Sequence, residues 1–238
     1  MKSRSTTLFI LLSLLLVISF FLDLLIGSVH IPLRDILGAI VGADIDPATR
    51  LIVLDIRLIK AVVAILSGMA LSVSGLQMQT LFRNPLAGPY VLGISSGASL
   101  GVAIFILGMP LLGVATNSTL SSVGTAGAAW LGSALILAFV ASVSTRIKDI
   151  MVILILGMMI SSGVSVQILQ YLSNEEALKS FVIWTMGSLG DVTTNQLHLM
   201  LPAVLLGLVV SVAVIKPLNL LLLGEQYART MGLNVRRS

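Results

Sequence analysis

The 238-residue chain has no cysteine, which excludes disulfides, thiol nucleophiles and cysteine-ligated metals. Its two histidines, His30 and His198, stand far apart without ligand-spaced partners, so no metal site is expected. Charged residues make up only 10% of the chain, against about 25% in a soluble domain, too few to cover a water-exposed surface. No set of nucleophile, base and orienting group appears, so no catalytic residue is assigned and no enzyme is expected. The P-loop pattern G-x-x-x-x-G-K-[ST] is also absent, which excludes ATP binding of that kind. What remains is 57% hydrophobic residues and a mean hydropathy of +1.08. That composition predicts an all-α polytopic membrane protein. The net charge of +4 does not point to nucleic acid, because in such a protein excess Lys and Arg mark cytoplasmic loops.

About six apolar segments are expected to cross the bilayer, at 7–27, 58–82, 93–109, 121–144, 150–172 and 196–215. Most approach the ~20 residues that a spanning helix needs; the third is short. The N-terminal run is too long for a signal-peptide core and is not closed by an A-x-A site, so it reads as a retained helix. A cytoplasmic N-terminus places Lys2, Arg4, Arg83, Arg146, Lys148, Lys216, Arg229, Arg236 and Arg237 inside. Only Arg34, Arg50, Arg57, Lys60 and Lys179 then lie outside, and this bias sets the orientation. Residues 28–56 become an external loop with a short interfacial helix near 33–42. Residues 173–195 form a second, ordered external loop with Trp184 at the interface. Residues 1–215 form the transmembrane part, and 216–238 form a cytoplasmic segment.

The stretch "LFRNPLAGPYVLGISSGASLG" (81–101) interrupts this apolar pattern. Before it, Ser67, Gly68, Ala70, Ser72, Ser74 and Gly75 give a small-residue helix suited to close packing. Pro85 and Pro89 each remove a backbone donor and disfavour helix at the preceding residue. Residues 83–92 are therefore expected to be a non-helical connector, followed by a short helix capped by Ser95 or Ser96. Two readings fit: a tight turn between packed helices, or a broken helix beside a transport pathway.

Other positions carry similar pairs of readings. Arg57 and Lys60 share a helix face at i,i+3; they either dock a partner or snorkel, with Asp55 as another possible mate. Asp23 is a lone acid near the external end of the first segment and is expected to snorkel. Segment five carries Ser161, Ser162, Gly163 and Gln167, which suit either a weakly polar pathway or helix packing, while Met158 and Met159 read as packing residues. Beyond Lys216, Asn219 is a candidate cap, Gly224 and Glu225 start a turn, and Gly232 is a candidate left-handed C′ residue. Glu225 and Arg229 form a favourable i,i+4 pair. Tyr227 and Met231 share a face that either meets a partner or rests on lipid headgroups.

Three motifs in order resemble one family. "RLIKAVVAILSGMALSVSGLQMQTLFRNPLAGPYVLGISSGASLG" (57–101), "FVIWTMGSLGDVTTNQL" (181–197) and "LNLLLLGEQYARTMGLNVRR" (218–237) are similar to the FecCD-like permease subunits of ABC importers for iron-siderophores, haem and vitamin B12. Lys60 replaces the family's second arginine in R-L-x-R and keeps its charge. The resemblance implies a multi-pass permease in a bacterial cytoplasmic (inner) membrane, working as a homodimer or heterodimer with an ATP-binding subunit and an external or periplasmic substrate-binding protein. It implies no cofactor on this chain, with ATP and Mg on the partner ATPase. It assigns ATPase coupling to Leu223, Gly224, Glu225, Gln226, Tyr227, Arg229, Met231 and Gly232, and binding-protein docking to Arg57 and Lys60. It assigns the pathway to Asn84, Pro85, Ser95, Ser96, Gly97, Ser161, Ser162, Gly163 and Gln167. It also implies about ten helices, of which six are present, so the chain is expected to be truncated and not to transport alone. The alternatives are a secondary transporter, disfavoured by the scarcity of ionisable residues within the helices, and a non-transporting fragment.

Overall fold

The computed structural model describes residues 2–111, 118–147, 152, 164–190 and 192–233, and these are helical with no strand. The helices are α1 (Lys2–Leu25), α2 (Leu33–Val41), α3 (Pro47–Leu51), α4 (Ile59–Phe82), α5 (Ile94–Ala103), α6 (Met109–Leu111), α7 (Ser118–Ser144), α8 (Val164–Leu172), α9 (Glu175–Met186), α10 (Thr194–Leu222) and α11 (Glu225–Thr230). Wider π-type turns join α3 to α4 at Ile52–Leu58 and α5 to α6 at Ile104–Gly108. Among the described residues, three stretches are long and apolar enough to cross a membrane: Arg4–Leu25, Val123–Ser144 and Thr194–Leu222. The 24 residues of α4 rise about 36 Å, also a bilayer's thickness. The short third segment is present as Ile94–Gly108. Most of the fifth expected segment lies outside the described residues.

The helices form two compact units. The first comprises Met1–Leu66 and Leu189–Leu197. Its core joins Leu24 at the end of α1 to Ile31, to Ile36 and Ala39 on one face of α2, and to Val53 and Ala61. The start of α3 is fixed locally: Pro47 needs no donor at the first helical position, and Asp46 accepts the Thr49 backbone N–H at 3.0 Å. The helix expected near 33–42 is therefore present as α2, seated on the end of α1.

The second unit comprises Ser67–Ser188 and His198–Ser238. Its main contact is the crossing of α5 and α7, and it depends on small residues. A Cβ on Gly97 would lie 2.5 Å from the Gly132 carbonyl oxygen, and Gly101 and Gly132 are equally tight against Ala128 and Gly97. Gly97-x-x-x-Gly101 thus meets Ala128-x-x-x-Gly132, the pairing by which membrane helices approach backbone to backbone. Ser133 adds a hydrogen bond, its hydroxyl donating to the Ile94 carbonyl at 3.1 Å. Val102, Ala103 and Leu107 then pack against Ala177 and Phe181 of α9. Asn174 caps α9 by accepting the Ala177 N–H at 2.9 Å, with Glu175 and Glu176 at the positive end of the helix. Trp184, expected at the membrane interface, is half-buried and stacks on Phe181 with ring centroids 6.3 Å apart.

Candidate functional site

The interruption at 83–92 folds as two successive turns. Helix α4 closes on Arg83, which adopts φ +48°. The Arg83 N–H donates to Thr80 O at 3.3 Å and the Asn84 N–H to Gln79 O at 3.1 Å, the two bonds of a Schellman end. The next turn is Asn84-Pro85-Leu86-Ala87. Asn84 accepts twice, at its backbone oxygen from the Ala87 N–H (3.1 Å) and at Oδ1 from the Leu86 N–H (2.9 Å). Pro85 sits at the second position, where its fixed φ suits such a turn. Pro89–Leu92 adds one 3₁₀ turn, and Gly93, not Ser95 or Ser96, stands at the N-cap of α5. The expected serine cap is thus corrected: φ +75° at Gly93 enters the helix two residues before Ser95, and the serines fall within the first turn. Asn84 is half-buried, Pro85 and Ser95 are exposed, and Ser96 is half-buried. Gly97 is buried against Gly132, which makes it a packing residue where the sequence suggested a pathway residue. Gln167 is exposed on α8. Ser161, Ser162 and Gly163, with Met158 and Met159, lie outside the described residues.

At the C-terminal side, α10 runs without a break through Pro217 to Leu222. Asn219 therefore lies inside a helix and caps nothing, a second correction. Gly224 turns the chain, with φ +117° and ψ 149°, a region open essentially to glycine alone. Helix α11 follows and ends as the sequence suggested. Gly232 takes φ +86°, its N–H donates to Arg229 O at 3.1 Å, and the Leu233 N–H donates to Ala228 O at 3.0 Å, a complete Schellman motif. Ala228 is fully buried beneath the helix. Leu223, Tyr227 and Met231 are 64%, 52% and 60% exposed, so an apolar stripe at four-residue spacing faces outward. Leu223, Gly224, Gln226, Tyr227 and Thr230 line a depression of about 560 Å³.

The basic pair Arg57 and Lys60 behaves differently from the expectation. Arg57 is 7% exposed. Its Nη1 donates to Leu24 O at 2.7 Å and Leu25 O at 3.1 Å, and its Nη2 donates to Val29 O. These bonds satisfy carbonyls that the end of α1 leaves unpaired and place a cation at the negative end of its dipole. Gly27 makes room: a Cβ there would lie 2.6 Å from Nη2. Arg57 is thus held inside the chain, where the sequence suggested a cation facing a partner; burial on the π-type turn is the reason. Lys60 pairs with Asp23 at 3.0 Å, so Asp23 has a mate and does not merely snorkel. Lys60 is 45% exposed, and a pair so open to solvent adds at most about 1 kcal/mol. Sequence reasoning missed Gly27 and Arg83. The only local signals were a glycine closing the first apolar run and an arginine placed directly before Asn-Pro.

A family model described as the FecCD transport family matches residues 15–238. The chain belongs to this family. Among its FecCD relatives, the haemin transport system permease protein HmuU of Yersinia pestis is 38% identical over 192 residues, covering 78% of this chain and 55% of that protein. The molybdate import system permease protein MolB of Haemophilus influenzae is 34% identical over 233 residues, covering 94% of this chain and 66% of that protein. A solved metal-chelate type ABC transporter in an inward-facing conformation superposes with a TM-score of 0.80 at 28% identity, covering 98% of this chain and 70% of that one. The chain spans 55–66% of the length of these two curated relatives. The three helices long and apolar enough to span a membrane accord with the chain's membership of this transport family.

Proposed function

We propose that this chain contributes to the transmembrane pathway of an ATP-driven importer in the bacterial cytoplasmic (inner) membrane, with its N-terminus in the cytoplasm. The observation that carries the reading is α11. It is a short helix bounded by glycines at Gly224 and Gly232, with Leu223, Tyr227 and Met231 exposed on one side. Apolar side chains held outward on a rigid turn suit insertion into a partner's groove. The ATP-binding subunit supplies that groove together with ATP and Mg, and this chain binds no cofactor of its own. Gln226 and Arg229 are exposed beside the apolar stripe and complete the coupling surface. A substrate-binding protein docks externally, with Lys60 as the accessible cation for charge steering and Arg57 acting behind it as a clamp. The second side of the pathway comes from a permease copy or a related permease. The cargo is a metal chelate, haem or corrinoid, and the molybdate relative adds a small oxyanion to the set.

The test is uptake in cells that carry this permease with its ATP-binding and substrate-binding partners. Labelled haemin, ferric siderophore, cobalamin and molybdate are offered in turn. At least one is expected to accumulate, and replacing the P-loop lysine of the ATPase subunit is expected to stop it. Uptake that continues with the disabled ATPase overturns the reading.

A further inference from the structure

Arg83 joins the two segments described above, and neither the motif nor its position in sequence announces it. Its Nη2 donates to the carbonyl oxygen of Leu221 at 2.5 Å, 138 positions further along the chain. The same oxygen accepts the backbone N–H of Gly224 at 3.1 Å. Gly224 is the N-cap residue of α11. One carbonyl therefore holds both the start of the coupling helix and the side chain that closes α4. On its own side, Arg83 is the C′ residue of α4 and precedes the Asn84–Ala87 turn leading to α5. Its φ of +48° is unusual for a residue with a Cβ, and glycine would take it more readily. An arginine here tolerates backbone strain and places a guanidinium at the carbonyl end of α10, where a cation is favoured.

We infer that Arg83 is a positioning residue that links α11 to the α4–α5 connector, so that displacement of α11 by the ATPase moves the Asn84-Pro85 turn and the entry of α5. The inference rests on the coupling role proposed above for α11. The link is short and contiguous: α11, Gly224 N–H, Leu221 O, Arg83 guanidinium, Arg83 backbone, Asn84. It needs no side chain from elsewhere. Being exposed, it makes and breaks more readily than a buried bond would, which suits an element that changes partners during a cycle.

The experiment compares Arg83→Gly, Arg83→Ala and Arg83→Lys in the assembled importer with its ATPase and binding protein, reconstituted in proteoliposomes. Two rates are read: cargo uptake and ATP hydrolysis. Arg83→Gly relieves the positive φ and folds at least as well as the parent, so it removes the link without damaging the turn. Its uptake per ATP hydrolysed is expected to fall about three- to tenfold, the range for losing one charge-assisted hydrogen bond at an exposed helix end. Arg83→Ala is expected to fall as far, with some loss of folded protein. Arg83→Lys keeps a cation within reach of the carbonyl and is expected to recover at least half the parental ratio. Parental coupling in Arg83→Gly overturns the inference, because the residue then matters only for its turn. An Arg83→Lys variant as uncoupled as Arg83→Gly also overturns it. Failure of the coupling reading itself looks different: parental uptake would not depend on the ATPase at all.

Discussion

Arg57 shows how one residue's role depends on where the chain buries it. Its pairing with Lys60 at i,i+3 suggested a charged face open to a partner. The structure instead closes Arg57 over the last two carbonyls of α1 and that of Val29 just beyond it, and leaves Lys60 half-exposed with Asp23. Nothing local in "RLIK" separates these outcomes, since the acceptors lie about thirty residues earlier in the chain. Removing the guanidinium leaves buried carbonyls unpaired, so Arg57→Gln is expected to lower stability by about 2–4 kcal/mol. Gly27→Ala should act through the same contact, because its Cβ would meet the guanidinium. Melting curves of the two single variants and the double variant in detergent test this. The double variant is expected to be less destabilised than the sum of the singles, as residues in direct contact are not additive. Full additivity, or an Arg57→Gln variant as stable as the parent, would show that Arg57 does not clamp α1. Binding-protein affinity provides the companion readout: Lys60→Gln should slow association at low salt while lowering the melting temperature far less than Arg57→Gln does.

At the scale of helices, the sequence was most legible where backbone geometry is determined locally. Gly232 as a left-handed helix end, the Pro85 and Pro89 break, and the short third segment all depend on residues within a few positions, and all are present. Legibility fell where a neighbouring residue or a distant segment competes for a role. Ser95 and Ser96 are good caps in isolation, but Gly93 begins α5 before them. Asn219 is a good cap in isolation, but α10 continues past it. Gly97 belongs to the glycine-rich stretch that suggested a pathway, and its partner Gly132 is 35 positions away on another apolar run. That pairing yields a sharp expectation. Gly101 faces the Ala128 carbonyl with no space for a Cβ. Gly101→Leu therefore has to push α5 from α7, and overpacking of this kind costs about 1–3 kcal/mol. Gly108→Leu is the control, since a Cβ there meets nothing within 4 Å. Unfolding in increasing SDS should separate the two variants, with Gly101→Leu unfolding first. Equal unfolding midpoints would mean that α5 and α7 do not cross at these glycines.

For the whole molecule, the family could be read from three spaced motifs, and the family model covers the chain from residue 15 to residue 238. The cargo could not be read: a haemin transport permease and a molybdate import permease are 38% and 34% identical to this chain, and haemin and molybdate are chemically unlike. Orientation, by contrast, gives a charge-based expectation: nine of the 14 basic residues fall in the segments that a cytoplasmic N-terminus would place inside. Because the protein has no cysteine, a single introduced thiol reports its side of the membrane without background. Ser5→Cys, Ala43→Cys and Gln226→Cys sample the N-terminus, the 28–56 loop and the coupling helix. In intact spheroplasts an impermeant maleimide is expected to label Ala43→Cys alone; Ser5→Cys and Gln226→Cys should react only after permeabilisation. The reversed pattern would put α11 outside the cell, where no ATPase could reach it, and the coupling proposal would fall with the topology. Labelling of Ser5→Cys and Ala43→Cys from the same side would instead mean that α1 does not cross the bilayer, despite an 18-residue stretch of mean hydropathy 2.8 within Arg4–Leu25.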